Sequence, residues 1–195
     1  MPFFKKRRVY SIDDIKPGDH LSFLYETEEE HKELLKHYLV QGLRRGEKVV
    51  YIVDSHTEEE ITSYFIGTEF ENIYEYIKKG QFTVLSIGES YFKEGIFDPD
   101  KMISLLVSET EKALSDGYTA LRATGEMSWA LKGLPGSERL MEYEAKLNRA
   151  FPYIKCIGLC QYDKRKFEGK DIIKVYSTHP TVVTGTKFQP STYYI

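Results

Sequence analysis

Apolar positions along this chain switch between the spacing of strands and the spacing of helices. His20–Tyr25 (HLSFLY) is a short apolar run that predicts a strand. Leu34, Leu35, Tyr38, Leu39 and Leu43 then fall on one face of a helix, with Gly46 placed to end it. Lys48–Val53 (KVVYIV) is apolar and β-branched enough for a buried strand. Thr57-Glu58-Glu59-Glu60 has the form of a capping box, opening a helix with Ile61, Tyr64 and Phe65 on one side. Residues 82–87 (FTVLSI) predict a third strand. Asp98-Pro99 supplies an N-cap and a first-turn proline for a long helix. Met102, Ile103, Leu106, Ala113 and Leu114 form its apolar face, and Gly117 ends it. A fourth strand follows at 119–123, a helix at 138–150 with Leu140, Tyr143 and Leu147 as its stripe, and a fifth strand at 153–162, apolar on both faces and therefore central. Residues 171–178 carry the β-branched content of a strand but the Ile172, Val175, Tyr176 spacing of a helix. The helix is preferred, capped by Asp171 and stopped before Pro180, with a last strand at 181–185.

Strands alternating with helices predict an α/β fold with a mainly parallel central sheet flanked by helices on both faces. In such sheets ligands bind beyond the carboxyl ends of the strands. The chain has 195 residues, with no repeat, linker or low-complexity tract, and is read as one domain with its core at 11–185 and loose ends at 1–10 and 186–195.

Composition narrows the class without changing the fold. Hydrophobic residues make up 41% and charged residues 29%, an ordinary globular balance. With 27 basic and 30 acidic residues the net charge is −3, so no basic excess argues for direct nucleic-acid binding. The one basic run, Lys5-Lys6-Arg7-Arg8, reads as a solvated tail. No apolar run is long enough for a membrane span, and no signal-peptide core follows the basic start. Cys156 and Cys160 lie in one strand, ~13 Å apart at strand rise and too far to pair. Free thiols without an export signal predict a cytoplasmic protein.

A phosphate-binding core carries a glycine-rich (Walker A) loop after its first strand. Here that place reads Glu26-Thr27-Glu28-Glu29-Glu30-His31-Lys32, with four carboxylates and no glycine. A triphosphate would meet like charge there, and the backbone could not form the usual nest of N–H groups. The acidic run also has a local explanation, because carboxylates favour a helix N-terminus and Thr27 with Glu30 has the spacing of a second capping box. No nucleophile elbow, His-Glu-x-x-His or dinucleotide fingerprint occurs, so no catalytic residue and no cofactor are expected.

Several segments resemble one family in order. They are Gly18-Asp19-His20-Leu21-Ser22-Phe23-Leu24-Tyr25, Arg122-Ala123-Thr124-Gly125-Glu126-Met127-Ser128-Trp129, Tyr143-Glu144 with Leu147-Asn148, Cys160-Gln161-Tyr162-Asp163, His179-Pro180 and Tyr193-Tyr194. This set, spanning about residues 11–194, resembles the MEDS domain, the methanogen/methylotroph DcmR-type sensory domain. The resemblance implies a RecA/KaiC-like three-layer sandwich without a working phosphate loop. It also implies a sensory role in signalling or transcription, directed at small hydrocarbon derivatives or one-carbon compounds. Related proteins often carry a DNA-binding or kinase module for which this chain has no room. Output is therefore expected through a separate partner or through self-association as a homo-oligomer. The rival readings are a divergent nucleotide-binding protein or ATPase, and an oligomerising scaffold without a ligand.

Candidate site residues follow from the ends of the strands. Glu126, beyond the predicted fourth strand, could accept a hydrogen bond from a ligand or hold a metal or water; alternatively it starts a helix or pairs with Arg122. Trp129 is a pocket wall or a core residue. Tyr25 and Thr27, Asp54 and Ser55, and Tyr162 and Asp163 end strands at the same predicted edge, giving an expected pocket that is largely apolar and lined by Tyr25, Glu126 and Trp129. His20 begins the first strand, ~16 Å from Tyr25 at strand rise, and so is either structural or part of a site elsewhere. His179, before Pro180, either anchors a loop or contacts ligand. His20, His179, Cys156, Cys160 and Glu126 are all of ligating type, but no pair has metal-ligand spacing, and no metal is expected.

Overall fold

The computed structural model describes residues 9–194; Lys5-Lys6-Arg7-Arg8 lies outside the described residues. Strands β1 (His20–Tyr25), β2 (Lys48–Val53), β3 (Phe82–Ser86), β4 (Leu121–Glu126), β5 (Cys156–Asp163), β6 (Thr181–Thr184) and β7 (Lys187–Pro190) form one sheet in the order β3-β2-β4-β5-β1-β6-β7. Every pairing is parallel except β6 with β7. Helices α1 (Glu28–Arg44), α2 (Glu58–Thr62) and α3 (Ile73–Lys78) cover one face, and α4 (Pro99–Ser115), α5 (Leu140–Ala150) and α6 (Gly169–Thr178) cover the other.

Strand parity decides which side chain meets which layer. Leu21, Phe23 and Tyr25 of β1, Val49 and Tyr51 of β2, and Ile157 and Leu159 of β5 pack on the α1 side. Leu24, Val50, Ile52, Leu121, Ala123, Cys156, Cys160 and Tyr162 pack on the α4–α5–α6 side. Both faces of the central strands are buried, as a doubly covered parallel sheet requires.

The helix starts follow local chemistry. Thr57 and Glu60 make the full reciprocal capping box. Thr27 Oγ1 accepts from the Glu30 N–H, but Glu30 reaches back to the N–H of Glu26 rather than Thr27. Gly46 (φ 69°) and Gly117 (φ 92°) adopt left-handed conformations just past α1 and α4, where a side chain would be strained.

Three expectations are corrected. Residues 171–178 are helical, but α6 starts at Gly169 and Asp171 pairs with Lys174 instead of capping. The fourth strand extends to Glu126, so Glu126 ends the strand and does not follow it. Residues 187–190 are strand and not a loose end; Phe188 is the only large apolar side chain in β7, too weak a pattern to read. Helix α3 lies beyond the elements read from the sequence; it buries Ile73 and packs the partly buried Tyr76 and Ile77 against the same layer.

Candidate functional site

Strand β1 passes into α1 through Glu26 and Thr27 alone, which leaves no loop between strand and helix. Above this junction, at the carboxyl edge of the sheet, lies an open cleft of about 490 Å³. Tyr25, Glu28, Lys32, Ser55, His56, Tyr64, Asp163 and Arg165 are prominent in its walls. Charged side chains are prominent in its walls, because strand ends and helix starts both place polar groups there.

Glu126 lies beneath the cleft and is nearly inaccessible. Its Oε2 accepts the backbone N–H groups of Asp54, Ser55 and His56, at 3.0, 2.5 and 3.3 Å. Its Oε1 accepts from His56 Nδ1 at 2.9 Å and from the Tyr51 hydroxyl at 3.2 Å. This carboxylate is already filled by protein donors, so it positions the β2–α2 loop and has no vacant oxygen for a ligand. It does not pair with Arg122, which binds Glu47 instead.

His56 donates its second nitrogen, Nε2, to Glu28 Oε2 at 3.0 Å. Burial opposes the charged imidazolium, but hydrogen bonds and charge from Glu126 and then Glu28 outweigh it and raise its pKa to about 9. The other Glu28 oxygen accepts from Arg165 Nη2 at 2.5 Å. The Arg165 hydrogen bond, with smaller help from His56, holds the Glu28 carboxyl down at about 2 against partial burial. Arg165 also grips Asp163 and lies 5.8 Å from the centre of the Tyr25 ring.

His31, one turn into α1, stacks on His56 with centroids 4.3 Å apart and an interplanar angle of 2°. Its protonation follows from its partners. Gln161 Nε2 donates to Thr124 Oγ1 at 2.8 Å, which orients Gln161 Oε1 to accept from His31 Nε2 at 2.8 Å. His31 Nδ1 then accepts from the Tyr64 hydroxyl at 3.0 Å. Burial, followed by the nearby positive His56, pushes the His31 pKa down to about 4. A charged and a neutral imidazole are thus stacked face to face at the edge of the cleft.

The remaining predicted residues separate. Ser55 lines the cleft, whereas Asp54 turns to Lys132 and Ser128. Thr27 caps α1. Tyr162 is one residue out of parity with Asp163, so it faces the other layer and donates to Glu144 Oε1 at 2.5 Å. Trp129 is fully buried among Tyr91, Phe92 and Phe97, with ring centroids at 4.8, 5.3 and 4.7 Å, and does not reach the cleft. His20 and His179 meet at Glu144 on the α5–α6 side of the sheet. A separate apolar cavity of about 240 Å³ lies under α4, walled by Val50, Ile52, Leu85, Met102, Leu105 and Leu106.

Residues 19–180 match the family described as MEthanogen/methylotroph, DcmR Sensory domain, abbreviated MEDS. The chain belongs to the MEDS family. A curated relative is the transcriptional repressor DcmR of Methylorubrum extorquens (strain DSM 6343 / CIP 106787 / DM4), 25% identical over 167 residues. The match covers 85% of this MEDS chain and 60% of the repressor, so the chain spans less than two thirds of that relative. Among solved structures, the fold is similar to the flagellar accessory protein FlaH of Methanocaldococcus jannaschii (TM-score 0.61, 14% identity, covering 87% of this chain and 72% of that one). It is also similar to a KaiC-like protein of Pyrococcus horikoshii OT3 (TM-score 0.59, 16% identity, covering 91% and 80%). The MEDS fold is thus RecA/KaiC-like. The family is described as a sensory domain, and the relative that matches it is named a transcriptional repressor. Among the described residues, no helix is long and apolar enough to cross a membrane.

The stacked pair gives the MEDS chain a two-sided pH dependence. His56 has a raised folded pKa, so its stabilisation is complete below 6.5 and is lost as pH rises through about 9. His31 has a lowered one, so its stabilisation is complete above 6.5 and is lost as pH falls toward about 4. Stability is expected to peak near pH 6.5 and to fall by about 2 kcal/mol toward either limit, after discounting for solvent screening. Urea denaturation across that range checks this; a profile still rising from pH 6.5 to 9 contradicts the assigned charge of His56.

Proposed function

We propose that this chain is a non-catalytic sensor unit that binds a small molecule in the carboxyl-edge cleft and passes its bound state to a partner. The observation carrying this reading is Glu28, whose exposed carboxylate bridges His56 Nε2 and Arg165 Nη2 across the cleft. A ligand with an oxygen acceptor can replace that carboxylate without leaving either cation unpaired. Tyr25 and Tyr64 offer aromatic faces for a small carbon skeleton. An oxygenated one-carbon compound or short hydrocarbon derivative has that chemistry. Displacing Glu28 loosens the first turn of α1, which offers a route from ligand to partner.

Calorimetric titration with formate, acetate and methanol tests the reading. Saturable binding is expected, strengthened in Glu28→Ala and abolished in His56→Ala. Absence of heat for all three probes in both wild type and Glu28→Ala overturns it. ATP–Mg²⁺ should not bind, because β1 passes into α1 with no glycine-rich loop between them whose backbone N–H groups could cradle the phosphates. Measurable ATP binding favours the divergent nucleotide-binding reading.

A second reading places an unfunctionalised hydrocarbon in the cavity under α4, favoured by that cavity's apolar walls. Leu85→Phe fills it. Loss of binding in Leu85→Phe with retention in His56→Ala selects this cavity over the cleft.

A further inference from the structure

Four side chains far apart in sequence converge on the α5–α6 side of the sheet, remote from the cleft. His20 begins β1, Glu144 lies on α5, Cys160 is in β5 and His179 links α6 to β6. All four are buried. The Nε2 atoms of His20 and His179 stand 3.0 and 3.1 Å from the same oxygen, Glu144 Oε2. Cys160 Sγ lies 3.5 Å from His20 Nε2 and 3.4 Å from Glu144 Oε2. The four donor atoms all fall within 4.8 Å of one another.

Hydrogen bonds around the cluster fix where the protons are. Asn148 Nδ2 donates to the carbonyls of Glu144 and Thr178, which turns Asn148 Oδ1 toward His20 Nδ1 at 3.0 Å. His20 therefore carries its proton on Nδ1. His179 Nδ1 lies 2.8 Å from the Val175 carbonyl and carries its proton there too. Both Nε2 lone pairs then point inward at a carboxylate oxygen, and His179 Nε2 has no hydrogen-bond partner. Among the described residues, the hydrogen donor facing the centre is the Cys160 thiol, directed at Glu144 Oε2. A cation at the centre satisfies every one of these groups at once.

We infer that His20, Glu144, Cys160 and His179 form a four-coordinate site for a divalent transition-metal ion of the zinc type. Two imidazoles, a thiolate and a carboxylate are the donor types such an ion takes. Tetrahedral bonds of ~2.0 Å to nitrogen and oxygen and ~2.3 Å to the one sulfur set donor separations of roughly 3.3–3.5 Å, close to the 3.0–3.5 Å at which four of the donor pairs already stand and within about 1.5 Å of the widest. The surroundings match what metal sites use to orient their ligands: each histidine donates Nδ1–H to an oxygen, and Tyr162 holds the second Glu144 oxygen, leaving Oε2 for the ion. Binding releases the Cys160 proton to solvent. With four protein ligands and no open position, the ion ties β1, β5, α5 and the α6–β6 link together.

The full chain, produced in zinc-supplemented medium and separately refolded with Co²⁺, tests this. One metal ion per chain is expected by mass spectrometry of the metal, and the cobalt form should show tetrahedral ligand-field bands with thiolate-to-cobalt charge transfer. Cys160→Ser should lose the charge-transfer band and Cys156→Ser, in the same strand, should keep it. Asn148→Ala should weaken binding ~10–100-fold. A folded wild-type protein that takes up neither ion overturns the inference. So does cobalt binding without a thiolate band, which would place the ion at Glu28, His31 and His56 instead. The wild-type stoichiometry and spectrum decide the matter if Cys160→Ser does not fold.

Discussion

Glu126→Ala is expected to lower folding stability by about 3–5 kcal/mol, because it strips the acceptor from a set of buried donors. Three successive backbone N–H groups, the Tyr51 hydroxyl and His56 all converge on this carboxylate. The melting temperature should fall by roughly 10 °C, judged from a protein of this size. Glu126→Gln, which keeps one oxygen acceptor, should cost less. Both variants should flatten the alkaline limb of the pH profile, since Glu126 is the stronger of the two carboxylates raising the His56 pKa. Chemical denaturation with an unchanged denaturant slope measures the effect. Wild-type stability in Glu126→Ala would contradict the assignment of Glu126 as the support of the His56 loop.

Arg122→Ala should be comparably costly for a different reason. Arg122 sits four residues earlier on the same face of β4, fully buried. Its Nε donates to Glu47 at 2.5 Å, its Nη2 to Gln41 at 3.2 Å, and its guanidinium lies 4.5 Å from the centre of the Tyr38 ring. Gly42 leaves the space for it, since a Cβ there would lie 2.6 Å from Arg122 Cδ. Removing the arginine strands the buried Glu47 carboxylate, at a cost of about 3–5 kcal/mol. The double replacement Arg122→Met with Glu47→Leu should recover most of that loss, because removing both charges abolishes the unpaired one. A double variant no more stable than Arg122→Ala would show that packing against Tyr38, and not the ion pair, carries the effect.

The same strand shows how far the sequence could be read. Apolar periodicity located β1, β2 and α1 to the residue or nearly so, because their stripes are long and their caps are chemically distinct. It stopped β4 too early, since Thr124, Gly125 and Glu126 resemble loop residues until β2 and β5 bury them on either side. Strand ends pointed to the edge where the cleft lies and to Tyr25, Ser55 and Asp163 in its walls, but also to Tyr162, Glu126 and Trp129, which do not line it. Parity sends Asp163 to the cleft and Tyr162 away from it, and the boundary of β5 was not known well enough to count parity. His31 carried a readable signal, because it extends the stripe of Leu34, Leu35 and Tyr38 inward along α1. His56 carried none: it lies in a loop, and its partners Glu28, Glu126 and His31 come from three other segments. The Glu144 cluster was equally hidden, because metal-type spacing rules require neighbouring residues and these come from four elements.

A crystal structure of the protein soaked with formate is the most direct test of the cleft as the sensory site. Extra density bridging His56 and Arg165, with Glu28 swung aside, is the predicted result. Glu28 still seated between the two cations, with the added density under α4 or absent altogether, would contradict it.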